Sequence, residues 1–291
     1  MNIVAYIYQF LESFSFLALA SVGMAIIYGM MGITNLAHGE FMMVGAYATV
    51  LLSRCGIPFI IAVILGALIV AFLGLGLDRT VICRLYDRPL DSIVATWGIS
   101  LILSQICFVI FGPTMQSINT PLGAVTIGNR SYSVYRLLLV ALSFVILGAL
   151  SVLFNKTEFG LHSRATMQNR EIANSLGVNA KKMNAVTFMI GSGLAGLVGG
   201  LYAPLLSLTP SYGTNFLMQS FVTVIVGGAN PLIGTTLASL GLGVVESSMS
   251  SFFGTFYGRI GILVVAIVFI RVLPGGFSGY VEARTLKRKE R

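Results

Sequence analysis

Residues 183–245 read MNAVTFMIGSGLAGLVGGLYAPLLSLTPSYGTNFLMQSFVTVIVGGANPLIGTTLASLGLGVV, 63 positions without Asp, Glu, Lys or Arg. A membrane-crossing helix needs roughly 20 apolar residues to traverse a hydrocarbon core about 30 Å thick. A run of this length therefore holds about three spans or part-spans. Pro204 and Pro210 mark one connection within it, and Gly227-Gly228-Ala229-Asn230-Pro231 marks a second break. The pattern Gly191-x-Gly193-x-x-Gly196, continued by Gly199 and Gly200, lies inside the same run. It reads as a small-residue helix-packing face and not as a dinucleotide loop, because no acidic ribose partner follows it.

The rest of the chain repeats this character. Of 291 residues, 56% are hydrophobic and 10% charged, where soluble domains carry about 25% charged residues. Further uncharged runs cover 13–37, 41–53, 55–77, 92–129, 137–155, 247–258 and 260–270. The run from 92 exceeds one span and contains Phe111-Gly112-Pro113, so a helix is expected to end near Phe111. An extracytoplasmic loop follows to about Tyr132, and the next helix begins near Val134. The expected fold is an all-α polytopic membrane protein of eight to ten spans, nine as the working number, forming one transmembrane domain over 1–291. The first apolar stretch is expected to be retained as a span, since no basic region precedes it.

Fourteen of the eighteen Lys and Arg residues fall in three segments, 78–91, 155–182 and the stretch from Arg271 to Arg291. Basic residues accumulate in cytoplasmic loops, so the N-terminus is expected outside and the basic tail, 274–291, in the cytoplasm. Charge gathered in this way excludes nucleic acid as a partner despite a net charge of +8. Cys55, Cys83 and Cys107 show neither CxxC nor Cys/His ligand spacing, so neither a disulfide framework nor a metal site is expected. His162, in the polar loop, reads as a surface histidine, and Trp97 as an interfacial or packing aromatic. No nucleophile constellation points to an enzyme.

Polar groups between apolar runs supply the candidate pathway. His38 and Glu40 interrupt two such runs, with Asn35 and Gly39 close by, and polar groups at such depth line a cavity or pair inside the bundle. Gly227 to Pro231 interrupts the second half similarly, and paired interruptions point to a transporter pathway. Thr34, Asn35, Thr223 and Asn230 add groups able to hydrogen-bond a small polar solute. Alternatively, His38 and Glu40 cap a helix at headgroup level or pair structurally, and Glu246 either lines the pathway or caps a helix near the outer surface.

Residues 155–182, NKTEFGLHSRATMQNREIANSLGVNAKK, form the longest polar segment apart from the tail. Helix formers run from about Ser163 to Leu176, and Gly177 stands where a left-handed cap would stop the helix. Glu171-Ile172-Ala173 with Gly177 resembles the E-A-A-x3-G loop of bacterial ABC importer permeases, with Ile172 in place of Ala and no distal Ile-x-Leu-Pro.

Two further stretches extend the resemblance. Tyr28-Gly29-Met30-Met31-Gly32-Ile33-Thr34-Asn35-Leu36-Ala37-His38-Gly39-Glu40 resembles the Y-G-x-x-G-x-x-N-x-A-H-G-E signature of permeases for branched-chain amino acids and urea. Gly227-Gly228-Ala229-Asn230-Pro231-Leu232-Ile233-Gly234 is similar to a G-G-x-G-N-x-x-G element later in that family, and Leu273-Pro274-Gly275-Gly276-Phe277 to its terminal motif. Gly160-Leu161-His162-Ser163-Arg164-Ala165 and Gln168-Asn169-Arg170 resemble the urea-type branch.

The resemblance implies a permease for urea, a similar amide or branched-chain amino acids. It also implies a second related permease, two ATPase subunits and an extracytoplasmic binding protein, with Arg164, Gln168, Arg170, Glu171, Ala173 and Gly177 coupling to the ATPase. No G-x-x-x-x-G-K-[ST] occurs in the chain, so ATP and Mg are expected in the partner subunits and no cofactor on this one. The rival reading is an ATP-independent channel or secondary carrier.

Overall fold

The computed structural model describes residues 3–127, 130–228, 230–273 and 275–279. Ala229, Pro274 and the basic stretch 280–291, named above, lie outside these residues. Helix α1 spans Ile3–Met31 and stops where Gly32 takes φ +68° and returns its N–H to the Tyr28 carbonyl at 2.9 Å. Next come α2 (His38–Arg54), α3 (Phe59–Thr80), α4 (Pro89–Phe111) and α5 (Val134–Lys156). A small antiparallel hairpin, β1 (Ala124–Ile127) with β2 (Arg130–Ser133), stands in the loop before α5; the all-helical reading of the sequence did not anticipate it.

The polar segment carries α6 (Glu158–Gln168) and α7 (Arg170–Ser175). The remaining helices are α8 (Ala180–Tyr202), α9 (Thr214–Gly227), α10 (Ile233–Phe253) and α11 (Thr255–Val272). Among the described residues, α1, α3, α4, α5, α8 and α11 belong to the six segments long and apolar enough to cross a membrane unaided. Helices α2, α9 and α10, of 17, 14 and 21 residues, complete the bundle.

One expectation changes. The helix expected from Ser163 to Leu176 is two helices broken at Asn169, whose side chain caps the second by accepting from the Ile172 N–H at 3.0 Å. Helix α1 runs through Glu12, whose carboxylate pairs with Arg136 at the start of α5.

Small residues set the packing, as lipid-embedded bundles require where no hydrophobic effect separates helix from lipid. Helix α8 is among the most buried spans, and its glycines face three neighbours. A methyl group on Gly191 would strike Ile27 of α1, one on Gly196 would strike Val70 of α3, and one on Gly199 would strike the Met42 carbonyl of α2. The glycine-rich run is thus the contact face the sequence implied.

The bundle has two distinct ends. At one, Met115 donates its N–H to Leu208 at 2.9 Å, Arg54 reaches the Gln116 carbonyl, and Tyr8 donates to the Ser133 carbonyl at 3.3 Å. This is the hairpin end. At the other, Arg170 pairs with Asp87 at 2.8 Å, joining the segments 78–91 and 155–182 into one basic end.

Candidate functional site

Helices α2 and α9 are too short to cross a bilayer, at roughly 25 Å and 21 Å for a rise of about 1.5 Å per residue. Both begin inside the bundle. His38, the first residue of α2, donates from Nε2 to the carbonyl of Ala20, in the central part of α1, at 2.9 Å. Ser220 of α9 donates to the same oxygen at 2.9 Å. The backbones of Gly39 and Gly213 then meet so closely that a Cβ on either would collide with the other. From this junction α2 runs to the hairpin end and α9 to the basic end. Segments 32–37 and 203–213 reach it as non-helical chain, which a membrane interior tolerates only where protein or a cavity surrounds it.

Of the residues named from sequence for a pathway, Thr34, Asn35, His38 and Glu40 lie at or beside this junction. His38 is fully buried, and its Nδ1 has no partner. Asn35, also fully buried, accepts from the Ala37 N–H at 3.0 Å, an Asx turn that shapes the entry to α2. Half-buried Thr34 lies in the same stretch, which Thr96 of α4 clamps by accepting from the Leu36 N–H at 3.1 Å. Glu40 is buried with Oε2 unpartnered, and it lines a cavity of about 560 Å³. Ser100 and Ser104 of α4 face its carboxyl, and Trp97, Leu101, Phe108 and Thr214 share the wall.

Thr223 and Asn230 do not reach that cavity. The Thr223 hydroxyl returns to its own helix, donating to the Gln219 carbonyl at 2.7 Å. Asn230 accepts from the Ile233 N–H at 3.3 Å and so caps α10, while its own N–H goes to Ser278 at 3.2 Å. Close by, Gly228 takes φ +85° against Gly275 and Gly276. This contact joins the second glycine element to the last one.

The residues expected to couple to an ATPase fall on the basic end. Thr157, Asn169 and Asn179 cap α6, α7 and α8 in turn. Gly177 has φ +89°, its N–H bonds the Asn174 carbonyl, and the Val178 N–H bonds that of Ala173, both at 3.0 Å. These two bonds form a Schellman motif, which needs a residue free to turn left-handed. Ala173 is buried, Gln168 and Glu171 are exposed, and Arg164 donates from Nε to the Gly160 carbonyl at 3.3 Å. Gln168, Arg170 and Glu171 line a groove of about 590 Å³ whose opposite wall is Tyr28 to Gly32 of α1.

Several residues of this arrangement escaped the sequence reading. Arg170 stacks over the Tyr86 ring at 5.0 Å besides pairing with Asp87, and the Tyr86 hydroxyl donates to both oxygens of Asp78, at 2.7 and 2.8 Å. Burial, with the Asp78 carboxylate beside it, pushes the Tyr86 phenol far above its ordinary pKa, so it remains a donor. Nothing local in the sequence marks Tyr86. Glu12 was visible in principle, as an acid inside an apolar stretch, but its partner Arg136 lies more than a hundred residues away.

A helical bundle with membrane-length spans, two helices beginning at mid-depth and a polar two-helix segment braced against one end defines a multi-pass membrane protein of transporter type. The chain belongs to the family described as branched-chain amino acid transport system / permease component, whose model matches residues 6–273. It is 25% identical over 282 residues to the high-affinity branched-chain amino acid permease protein LivH of Salmonella typhimurium, covering 91% of this chain and 92% of that protein. It is 26% identical over 288 residues to BraD of Pseudomonas aeruginosa, named for the same transport, covering 91% and 92%. A probable branched-chain amino acid permease, LivH of Methanocaldococcus jannaschii, is 27% identical over 289 residues, covering 94% and 91%. No solved structure matches the chain.

Proposed function

We propose that this chain is the membrane subunit of an ATP-driven importer for branched-chain amino acids, acting as a single permease domain in the cell inner membrane. Its hairpin end faces outward and its basic end the cytoplasm. It works beside a second related permease, with an extracytoplasmic binding protein delivering solute and two ATPase subunits holding ATP and Mg. ATP-driven closure of those subunits pushes on α6 and α7, and the push opens or closes a path past the junction where α2 and α9 begin. Thr34, Asn35, His38 and Glu40 shape that path; Asn230 fixes the turn between α9 and α10.

The observation that carries the reading is on α7 and the turn after it. Ile172 is 58% and Leu176 77% exposed on a polar segment outside the spans. Exposed apolar side chains on a capped, braced helix mark a protein-binding surface, and here the ATPase is the partner that fits. The branched-chain solute class is supported by the names of the relatives. The residues resembling the urea-type branch, 160–170, lie in α6 and at the first position of α7, away from the Glu40 cavity. They describe the coupling surface and not the solute, so urea or a short amide is the second choice. Replacing Ile172 and Leu176 by Asp is expected to abolish co-purification of the ATPase while the chain stays inserted and folded. Undiminished co-purification would remove α7 as the docking helix.

A further inference from the structure

At the hairpin end, a cavity of about 780 Å³ opens between α1, α5, α10 and α11. Four charged residues line it: Glu12, Arg136, Glu246 and Arg259. Glu12 and Arg136 pair with each other. Glu246 does not have such a partner among the described residues: the Gln219 amide nitrogen donates to its Oε1 at 3.4 Å, and its Oε2 is left buried without a hydrogen bond. The other face of the same amide is also unsatisfied. Gln219 is more than nine-tenths buried and its Oε1 has no donor. The Ser13 hydroxyl faces the Glu246 carboxyl.

The Glu246 Oε2 and the Gln219 Oε1 are thus two neighbouring acceptors open to a donor from whatever fills the cavity. A ligand with several N–H groups close together and a positive charge suits them. A primary ammonium has three such donors and the matching charge. Other groups of the lining suit the remainder of an amino acid. Arg259 lies near enough for its charge to act on Glu246 yet forms no ion pair among the described residues, and Phe16, Tyr202 and Leu206 add apolar lining. Phe16 and Tyr202 belong to an aromatic cluster with Phe216 and Tyr212, beside Gly213 of the junction. The cavity therefore sits directly above the place where α9 begins.

We infer that this outer cavity is a binding station for the ammonium end of a zwitterionic aliphatic amino acid, held by Glu246 and Gln219 before it passes the aromatic cluster. The inference rests on the importer reading and names its solute chemistry. Net charge in the cavity is balanced, so it accepts a zwitterion without a counter-ion, whereas a neutral diamide can donate N–H groups to Glu246 but brings it no opposite charge.

The test is binding of tritiated L-leucine to the chain co-purified with its partner subunits in lipid nanodiscs, without the binding protein. L-leucinamide, 4-methylpentanoate and urea serve as competitors. Leucine and leucinamide, which keep the ammonium, are expected to displace the label, and 4-methylpentanoate, which lacks it, at least about ten-fold less well. Urea, which donates N–H groups but carries no charge, is expected to displace at least about ten-fold less well than leucine. Glu246→Gln is expected to weaken leucine binding about ten-fold or more and to erase its advantage over 4-methylpentanoate. The competitor order on the unaltered chain stands independently of how that variant folds. Equal displacement with and without the ammonium, displacement by sodium over choline at matched ionic strength, or full leucine affinity in Glu246→Gln would overturn the station. ATP-driven uptake that persists alongside any of those results leaves the importer standing; absence of ATP-driven uptake of any solute removes the importer reading itself.

Discussion

Two donors, the imidazole of His38 and the hydroxyl of Ser220, converge on the carbonyl of Ala20 and so tie α2 and α9 to α1 at one point. That carbonyl oxygen has a second lone pair beyond its helical bond, and a buried imidazole needs somewhere to donate. His38→Ala is therefore expected to cost about 1–3 kcal/mol, read as a lower melting temperature of the purified chain, with His38→Gln recovering part of the loss. If the histidine instead met solute directly, His38→Ala would keep its melting temperature and change the order of preferred solutes in uptake. Glu40 differs in kind, since its unpartnered oxygen faces a cavity. Polarity at depth was visible in the sequence for both residues; which one closes a contact and which one faces space was not, because that depends on Ala20, eighteen positions earlier, and on Ser100, sixty positions later.

At the scale of elements, the short helices at the basic end are fixed by their termini. Gly177→Ala places a Cβ on a backbone at φ +89°, which costs about 1–2 kcal/mol. Arg170→Ala removes a partly exposed ion pair with Asp87, worth no more than about 1 kcal/mol, and the stacking on Tyr86. Both variants are expected to fold and to bind the ATPase, while solute moved per ATP hydrolysed falls several-fold. Unchanged stoichiometry in both would mean that the segment does not transmit force. Breaks bounded by Pro and Gly, after Phe111, at Pro204 and at Gly227, were legible because those residues stop helices for local reasons. The break at Asn169 was missed because asparagine is tolerated within a helix and caps one only when the chain turns there. The β-hairpin was missed because its short strands lie in a polar loop with no long period-2 pattern.

On the scale of the whole molecule, α1 connects the groove at the basic end, the junction and the outer cavity. Its 29 residues measure roughly 43 Å. Tyr28 to Gly32 close the coupling groove at one end, Ala20 anchors the junction, and Glu12 and Ser13 line the outer cavity at the other. Glycines 23 and 29 bring it against Gly191 and Pro231, and in the proposed mechanism this packed helix links the basic end to the hairpin end. Such a device has no engine of its own, and that is the central claim. It is tested most directly by uptake of tritiated L-leucine into proteoliposomes holding either this chain alone or the chain with its permease, ATPase and binding-protein partners. The account predicts accumulation only in the complete assembly and only with hydrolysable ATP. Uptake by the chain alone, at a rate unaffected by ATP, would contradict it.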